Sequence, residues 1–250
     1  MTFDSSHLYY DNYNSFFYKY NKDLYKILKG YVSERLELQL MYNMLINKEL
    51  DSHIILPKEL VYDDKHWLLG YKMDFVNGTN LDYLIKKNDL SFEDKIFIIN
   101  EFFSYLKDIH YYLIVGDIRN SNLMVGKDKK AYMIDFDYAV RGHSSAVPFC
   151  RYQVYLDDDY INDRNGDIIK LFVSALSLFY NYNIEDHLMR YEGIRYLEGF
   201  IPPNGQFHDY FYYMIDKINK HEYIDEYLKL PFTDNLEKEI NTGKSRIRLK

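Results

Sequence analysis

The sequence predicts an α+β fold in which a small antiparallel-sheet lobe is hinged to a larger, mainly helical lobe. Up to about residue 76 the apolar residues fall in short, strand-like runs separated by Asn- and Asp-rich turns. Beyond NGTN (77–80) they recur at helical spacing instead. A length of 250 residues suffices for one sizeable core or for two lobes around a cleft. In order, HLYY (7–10) and SFFYKY (15–20) form a hairpin through DNYN, and YNKD (20–23) turns the chain into LYKIL (24–28). A helix follows over 33–47, with Ser33 as N-cap. A strand pair follows at ELVYDD (59–64) and HWLLGYKMDFV (66–76). Residues 91–113 read as an amphipathic helix opened by Ser91 and Asp94 in a capping-box pattern. GDIIKLFVSALSLFYNY (166–182) is apolar enough to be a buried helix, and shorter helices are expected at 207–218 and 221–229. The lobes divide at 1–76 and 77–250.

Composition narrows the function. A hydrophobic fraction of 47% and a charged fraction of 28% belong to a soluble globular protein. The net charge of −7 argues against a general nucleic-acid binder, and the basic tail GKSRIRLK (243–250) reads as a frayed, solvated terminus. One cysteine, Cys150, excludes an intrachain disulfide, and no Cys/His cluster suggests zinc. The chain starts with neither a basic nor an apolar leader-like run, and no stretch reaches membrane-spanning length. A reducing cytoplasm is the expected compartment. The 28 tyrosines are read as a nucleotide-composition bias rather than as a binding surface.

Residues 115–139, VGDIRNSNLMVGKDKKAYMIDFDYA, place Asp117 and Asp135 eighteen residues apart, with Asn122 five after the first. All three are metal-competent side chains set among residues of strand character. D-x-R-x-x-N at 117–122 followed by I-D-F-D at 134–137 resembles the catalytic loop and metal-binding turn of the protein-kinase-like superfamily. FYK (17–19) and LYK (24–26) resemble the second and third strands of that fold's small lobe. YKMDFVNGTNL (71–81) resembles its fifth strand and hinge, and YLDDDYI (155–161) the end of its activation segment. Asp167 stands where the family has an aspartate that braces the catalytic loop.

The resemblance implies ATP and Mg2+ as cofactors. Phosphoryl transfer asks for positioning and charge neutralisation, and magnesium takes oxygen ligands. Asp135 and Asn122 would hold metal, Asp117 would orient and deprotonate the attacking hydroxyl, and Arg119 would reach the transferring phosphoryl. Lys26, on the Leu24–Leu28 face of its strand, would grip the phosphates with Glu37 of the helix holding it, Glu34 being the rival. The backbone of Asp74, Phe75 and Val76 would bond the adenine edge, with Met73 behind the pocket and Met124 beneath the base. Asn12 and Ser15 stand where the phosphate-covering loop usually has glycines, and Leu24 crowds the place above the adenine.

Val115 and Gly116 replace the family's histidine and arginine. Without that arginine no cation awaits a phosphate, so phosphorylation at Ser144, Ser145, Tyr152 or Tyr155 is not the expected switch. Asp137 replaces a glycine and either stiffens the turn or adds a carboxylate near the metals. Three functions follow in order of weight. The first is transfer to a protein Ser, Thr or Tyr. The second is transfer to a small molecule, as in aminoglycoside and choline kinases, which often carry H-G-D and I-D-F, toward which Gly116-Asp117 and Ile134 to Asp137 lean. The third is a pseudokinase binding module. The short span from Asp74 to Asp117 and the presence of Arg119 favour the first, with ATP and a protein substrate as partners.

Overall fold

The computed structural model describes residues 4–141, 154–156, 159–161, 163–188 and 194–247. It is an α+β structure whose first part is a five-stranded antiparallel sheet in the order β1-β2-β3-β5-β4. Its strands are β1 (Leu8–Asp11), β2 (Ser15–Tyr20), β3 (Asp23–Leu28), β4 (Glu59–Tyr62) and β5 (Leu68–Asp74). Between β3 and β4 runs α1 (Glu34–Ile46), capped by Ser33, whose hydroxyl accepts from the Leu36 amide at 3.3 Å. Leu40 of α1 packs with Leu68, Tyr71 and Met73 of β5 in a small core behind the sheet.

Gly70 has a packing reason. A Cβ built there would stand 2.0 Å from the Lys26 carbonyl oxygen, so only glycine lets β5 lie this close to β3. Register then sets Lys26 opposite Tyr71.

Beyond residue 77 a three-stranded antiparallel sheet joins β6 (Gly78–Asn80), β7 (Leu123–Gly126) and β8 (Ala131–Met133), with β7 in the middle. The helices are α2 (Leu81–Lys87), α3 (Phe92–Ile109), α4 (Arg164–Tyr180), α5 (Glu185–Leu188), α6 (Gln206–Asn219) and α7 (Asp234–Ile247). A short antiparallel pair, β9 (Val154–Leu156) and β10 (Asp159–Ile161), precedes α4. Every residue of α4 from Asn165 to Tyr180 is buried, as its apolar run predicts. The larger core forms between α3, α4 and α6 around Phe102, Phe103, Phe172, Phe179, Phe207 and Phe211.

A buried cation ties three helix ends together. Lys95, in the first turn of α3, donates to Asn181 Oδ1 at 2.7 Å and to Asn88 Oδ1 at 3.3 Å. These asparagines are the left-handed C-caps of α4 and α2, where the negative ends of the helix dipoles favour an ammonium. Burial pulls the Lys95 ammonium down to about 8.

Two helical expectations need correction. Residues 221–229 form no helix, and side chains from elsewhere hold several of their backbone groups, the Tyr213 hydroxyl accepting from the amides of Asp225 at 3.3 Å and Glu226 at 3.2 Å. Asn165 accepts from the Ile224 amide at 2.8 Å and donates to the Glu222 carbonyl at 3.0 Å, and Asn100 makes the same two-way contact with Leu230. Conversely, GKSRI lies inside α7 rather than in a frayed tail. That helix is charge-rich and holds Gly243, so its apolar stripe is thin. Gly243 is needed because a Cβ there would lie 2.2 Å from the Tyr180 hydroxyl of α4. Glu239 of α7 then caps α6, its carboxylate accepting from the amides of Gln206 at 2.9 Å and Phe207 at 2.6 Å.

Ser144, Ser145, Cys150 and Tyr152 lie outside the described residues, and Tyr155 falls in β9. Among the described residues no helix is long and apolar enough to cross a membrane. Replacement of Gly70 by alanine is expected to lower stability by about 1–3 kcal/mol, since the clash is with backbone and must be relieved by strand displacement. Urea unfolding of the variant and the parent measures this difference.

Candidate functional site

Lys26 projects from β3 with only 6% of its surface exposed. Its ammonium lies 2.6 Å from Asp135 Oδ1 and 2.7 Å from Asp137 Oδ2. Tyr71, fully buried on β5, donates its hydroxyl to Asp137. Burial alone would pull the lysine down, but Asp137, Tyr71 and Asp135 outweigh it and hold the ammonium well above the usual lysine range. Burial pushes Asp137 up, and Lys26 opposes that shift.

The turn carrying the two aspartates is constrained from three sides. Asp135 has φ +67°, a left-handed conformation that aspartate accepts more readily than most residues. The Ile134 amide donates to the Asn122 carbonyl at 3.0 Å. The intervening Phe136 is buried, and its carbonyl accepts from Asn43 Nδ2 of α1 at 3.0 Å. Gln39, one turn earlier on α1, orients Asn43 through a 2.8 Å hydrogen bond.

Asp117 sits on a loop locked to α4. The Asp167 carboxylate accepts from the amides of Val115 at 2.7 Å and Gly116 at 2.9 Å, the bracing role that the resemblance implies. Lys170, one turn along α4, donates to the Gly116 carbonyl at 2.5 Å. His110 Nε2 stands 3.2 Å from Asp167 Oδ2, the oxygen that also accepts from Val115, and its Nδ1 bonds the Tyr227 hydroxyl. Gly116 has φ +78°, which the family's arginine at this position would adopt with difficulty. Asn122 then closes the loop, its amide donating to the Asp117 carbonyl at 3.0 Å and to Asp117 Oδ2 at 3.2 Å. Arg119 lies 3.2 Å from the same carboxylate. Burial raises Asp117 to about 6, the Arg119 charge opposing and the Asp135 charge adding to the shift.

A cleft of about 720 Å³ is lined by sequence neighbours of this cluster, although Lys26, Asp117, Asn122 and Asp135 are not among its lining residues. It is lined by Leu24, Met73, Asp74, Phe75, Val76 and Met124, so the side chains expected around an adenine share one cavity. Ile134, next to Asp135, and Phe17, the register partner of Lys26, form the wall on the side of the ion cluster.

Three of the expected ligand groups are placed differently. The carboxylate of Glu37 accepts from Tyr62 at 2.9 Å and is not among the partners of Lys26. The Phe75 amide donates to the Lys22 carbonyl at 2.9 Å, so its N–H is already engaged. Asn12 and Ser15 do not line the cleft. Asn12 is not left-handed. Its side chain makes the turn by accepting from the amides of Asn14 at 2.9 Å and Ser15 at 2.7 Å. Ser15 is fully buried, and its hydroxyl has no partner among the described residues.

Several residues escaped the sequence reading. Lys170 left a signal, a charge inside an otherwise apolar helix three residues from Asp167. Tyr71, Asn43 and Glu185 left none. Glu185, also buried, accepts from the Asn120 amide at 3.0 Å, and burial raises it to about 7, with Asp82 and Asp117 adding to the shift. No protein-family model matches the chain, and no curated protein sequence matches it significantly.

Glu185 permits a stability test. Its folded pKa is raised, so the charged carboxylate opposes folding, and the penalty develops as pH rises from about 4.5 to about 7. Glu185→Gln keeps an acceptor for Asn120 and is expected to gain on the order of 3 kcal/mol over the parent between pH 5 and pH 8, by urea unfolding.

Proposed function

We propose that the chain is an ATP- and magnesium-dependent phosphotransferase with the two-lobed architecture of the protein-kinase-like superfamily, acting on a protein hydroxyl. The observation that carries this reading is the approach of Lys26 to Asp135 at 2.6 Å across 109 residues of chain, beside a cleft lined by the hinge segment. The hydrogen-bonded Asp117–Asn122 loop supports it.

The donor set suits magnesium. Asp135 and the Asn122 side-chain amide offer oxygen ligands, the kind magnesium takes alongside phosphate oxygens. Asp135 and Asn122 would hold it, and when bound it supplies neutralisation of the phosphate charge.

The remaining work falls to the chain. The apolar walls of the cleft take the base, with Met73 at the back and Met124 and Leu24 on its faces. Val76, whose backbone makes no hydrogen bond among the described residues, and the Asp74 carbonyl face the adenine edge. Lys26 holds the phosphates. Asp117 receives the proton of the attacking hydroxyl, and its raised pKa matches a base working near neutrality. Arg119 has a Nε that is buried and unpartnered among the described residues, and it stabilises the charge of the transferring group.

A second reading, transfer to a cationic small molecule, is favoured by one observation. The charges of Asp82 and Asp117 both act on the buried Glu185, so three carboxylates gather on the acceptor side. Labelled ATP and magnesium, with and without a generic protein acceptor, separate these outcomes. Label on protein supports the first reading, and consumption of ATP only with amine-bearing small alcohols supports the second. The absence of both nucleotide binding and transfer overturns the proposal.

Lys26→Ala and Asp135→Ala are expected to reduce transfer by at least about a hundredfold while circular dichroism stays unchanged. The rate in the parent is expected to fall below pH about 6, where Asp117 gains its proton. Arg119→Met removes the cation that opposes this shift, so it moves the acidic limb of kcat/KM to higher pH.

A further inference from the structure

We infer that Asp137, braced by Tyr71, is the residue that holds Lys26 in its phosphate-binding position, a task for which helix α1 supplies no carboxylate. The inference rests on the phosphotransfer reading and names a positioning residue within that site.

Lys26 touches two carboxylates, and they are not equivalent. Asp135 retains 27% exposure of its side chain and stands where a metal would be held, so its carboxylate is the one that nucleotide and metal draw away from the lysine. Asp137 retains 13% and is engaged from the far side by the Tyr71 hydroxyl. Its Oδ2 remains 2.7 Å from the ammonium with no competing demand among the described residues. Tyr71 is itself the register partner of Lys26 on the neighbouring strand, so brace and lysine belong to one rigid ladder.

Helix α1 makes a different connection. Glu37 is occupied by Tyr62, and Glu34 is exposed in the first turn. The helix reaches the turn through Asn43 and the Phe136 carbonyl, a neutral hydrogen bond to the residue between the two aspartates. Lysine, holder and metal carboxylate therefore sit on one ladder and one tripeptide. Assembly of the phosphate site needs no movement of α1 to deliver a charge.

Calorimetric titration of the full chain with ATP and with adenosine, both in EDTA, tests this without relying on turnover. Asp137→Asn is expected to weaken ATP about tenfold, the loss typical of a charge-assisted contact, while adenosine binds as in the parent. Lys26→Met should show the same selective loss, and the double variant no further loss. Tyr71→Phe should show a smaller loss in the same direction, and Glu37→Gln none. In steady-state assays with magnesium, the KM for ATP of Asp137→Asn should rise more than kcat falls.

Equal loss of ATP and adenosine in Asp137→Asn would mark it as a prop of the fold and overturn the inference, with Tyr71→Phe as the check should that variant fail to fold. Parental ATP affinity in Asp137→Asn, or a Glu37→Gln loss matching that of Lys26→Met, also overturns it. A parent chain that binds no ATP overturns the phosphotransfer reading itself, an outcome distinct from a parent that binds ATP and an Asp137 variant that is indifferent.

Discussion

One ion cluster organises the molecule: the ammonium of Lys26 between the carboxylates of Asp135 and Asp137. A buried lysine is costly unless paired, and a buried aspartate equally so. Each offsets the desolvation of the other, and they come from segments more than a hundred residues apart. The sheet and the following turn are therefore held in one relative position by charge as well as by packing. The closeness of β5 to β3, which only Gly70 permits, and the left-handed Asp135 both serve to bring those atoms together.

The Asp117 loop follows a similar logic with different means. Its backbone amides are taken by Asp167 and its carbonyl by Lys170, both from a helix that is otherwise apolar. A helix buried on all sides makes a rigid mount, and its two buried charges, Asp167 and Lys170, satisfy loop groups that would otherwise be orphaned in the interior. Asp117 is thereby kept in poor solvent, which is why its carboxyl holds its proton more tightly than a surface aspartate. The raised proton affinity of Asp117 and the burial of its loop have one cause.

Much of this was legible from residues alone, and the failures are instructive. Strands β1 to β5, α1 and its Ser33 cap, α3 and the buried α4 follow from period and punctuation, because local pattern and tertiary environment agree there. The Asp117, Asn122, Asp135 and Lys26 group came from the family resemblance, strand parity adding only the choice of Lys26 over Lys29. Glu37 could not be placed correctly, since a helix periodicity says which residues share a face but not how far that face stands from a strand. Asp137 was visible as an oddity, a carboxylate in a glycine position, yet its pairing depended on Tyr71, which reads as an ordinary strand aromatic. Residues 221–229 and α7 failed in opposite senses. In the first, side chains from elsewhere hold backbone groups that a helix would have paired. In the second, a polar helix is held by two apolar residues, Leu236 and Ile240, and by a glycine contact that no local pattern announces.

The cap that Glu239 provides to α6 has an implication for how the chain reaches its native form. The amides of Gln206 and Phe207 find their acceptor 33 and 32 residues downstream. Gly205 at that boundary has no side chain to offer in the meantime. During synthesis, α6 can emerge complete and still lack the anion that satisfies its leading turn. Closure of that part of the interior must wait for α7, so the order of assembly is written into a contact that looks, in the finished molecule, like a minor detail of a helix end.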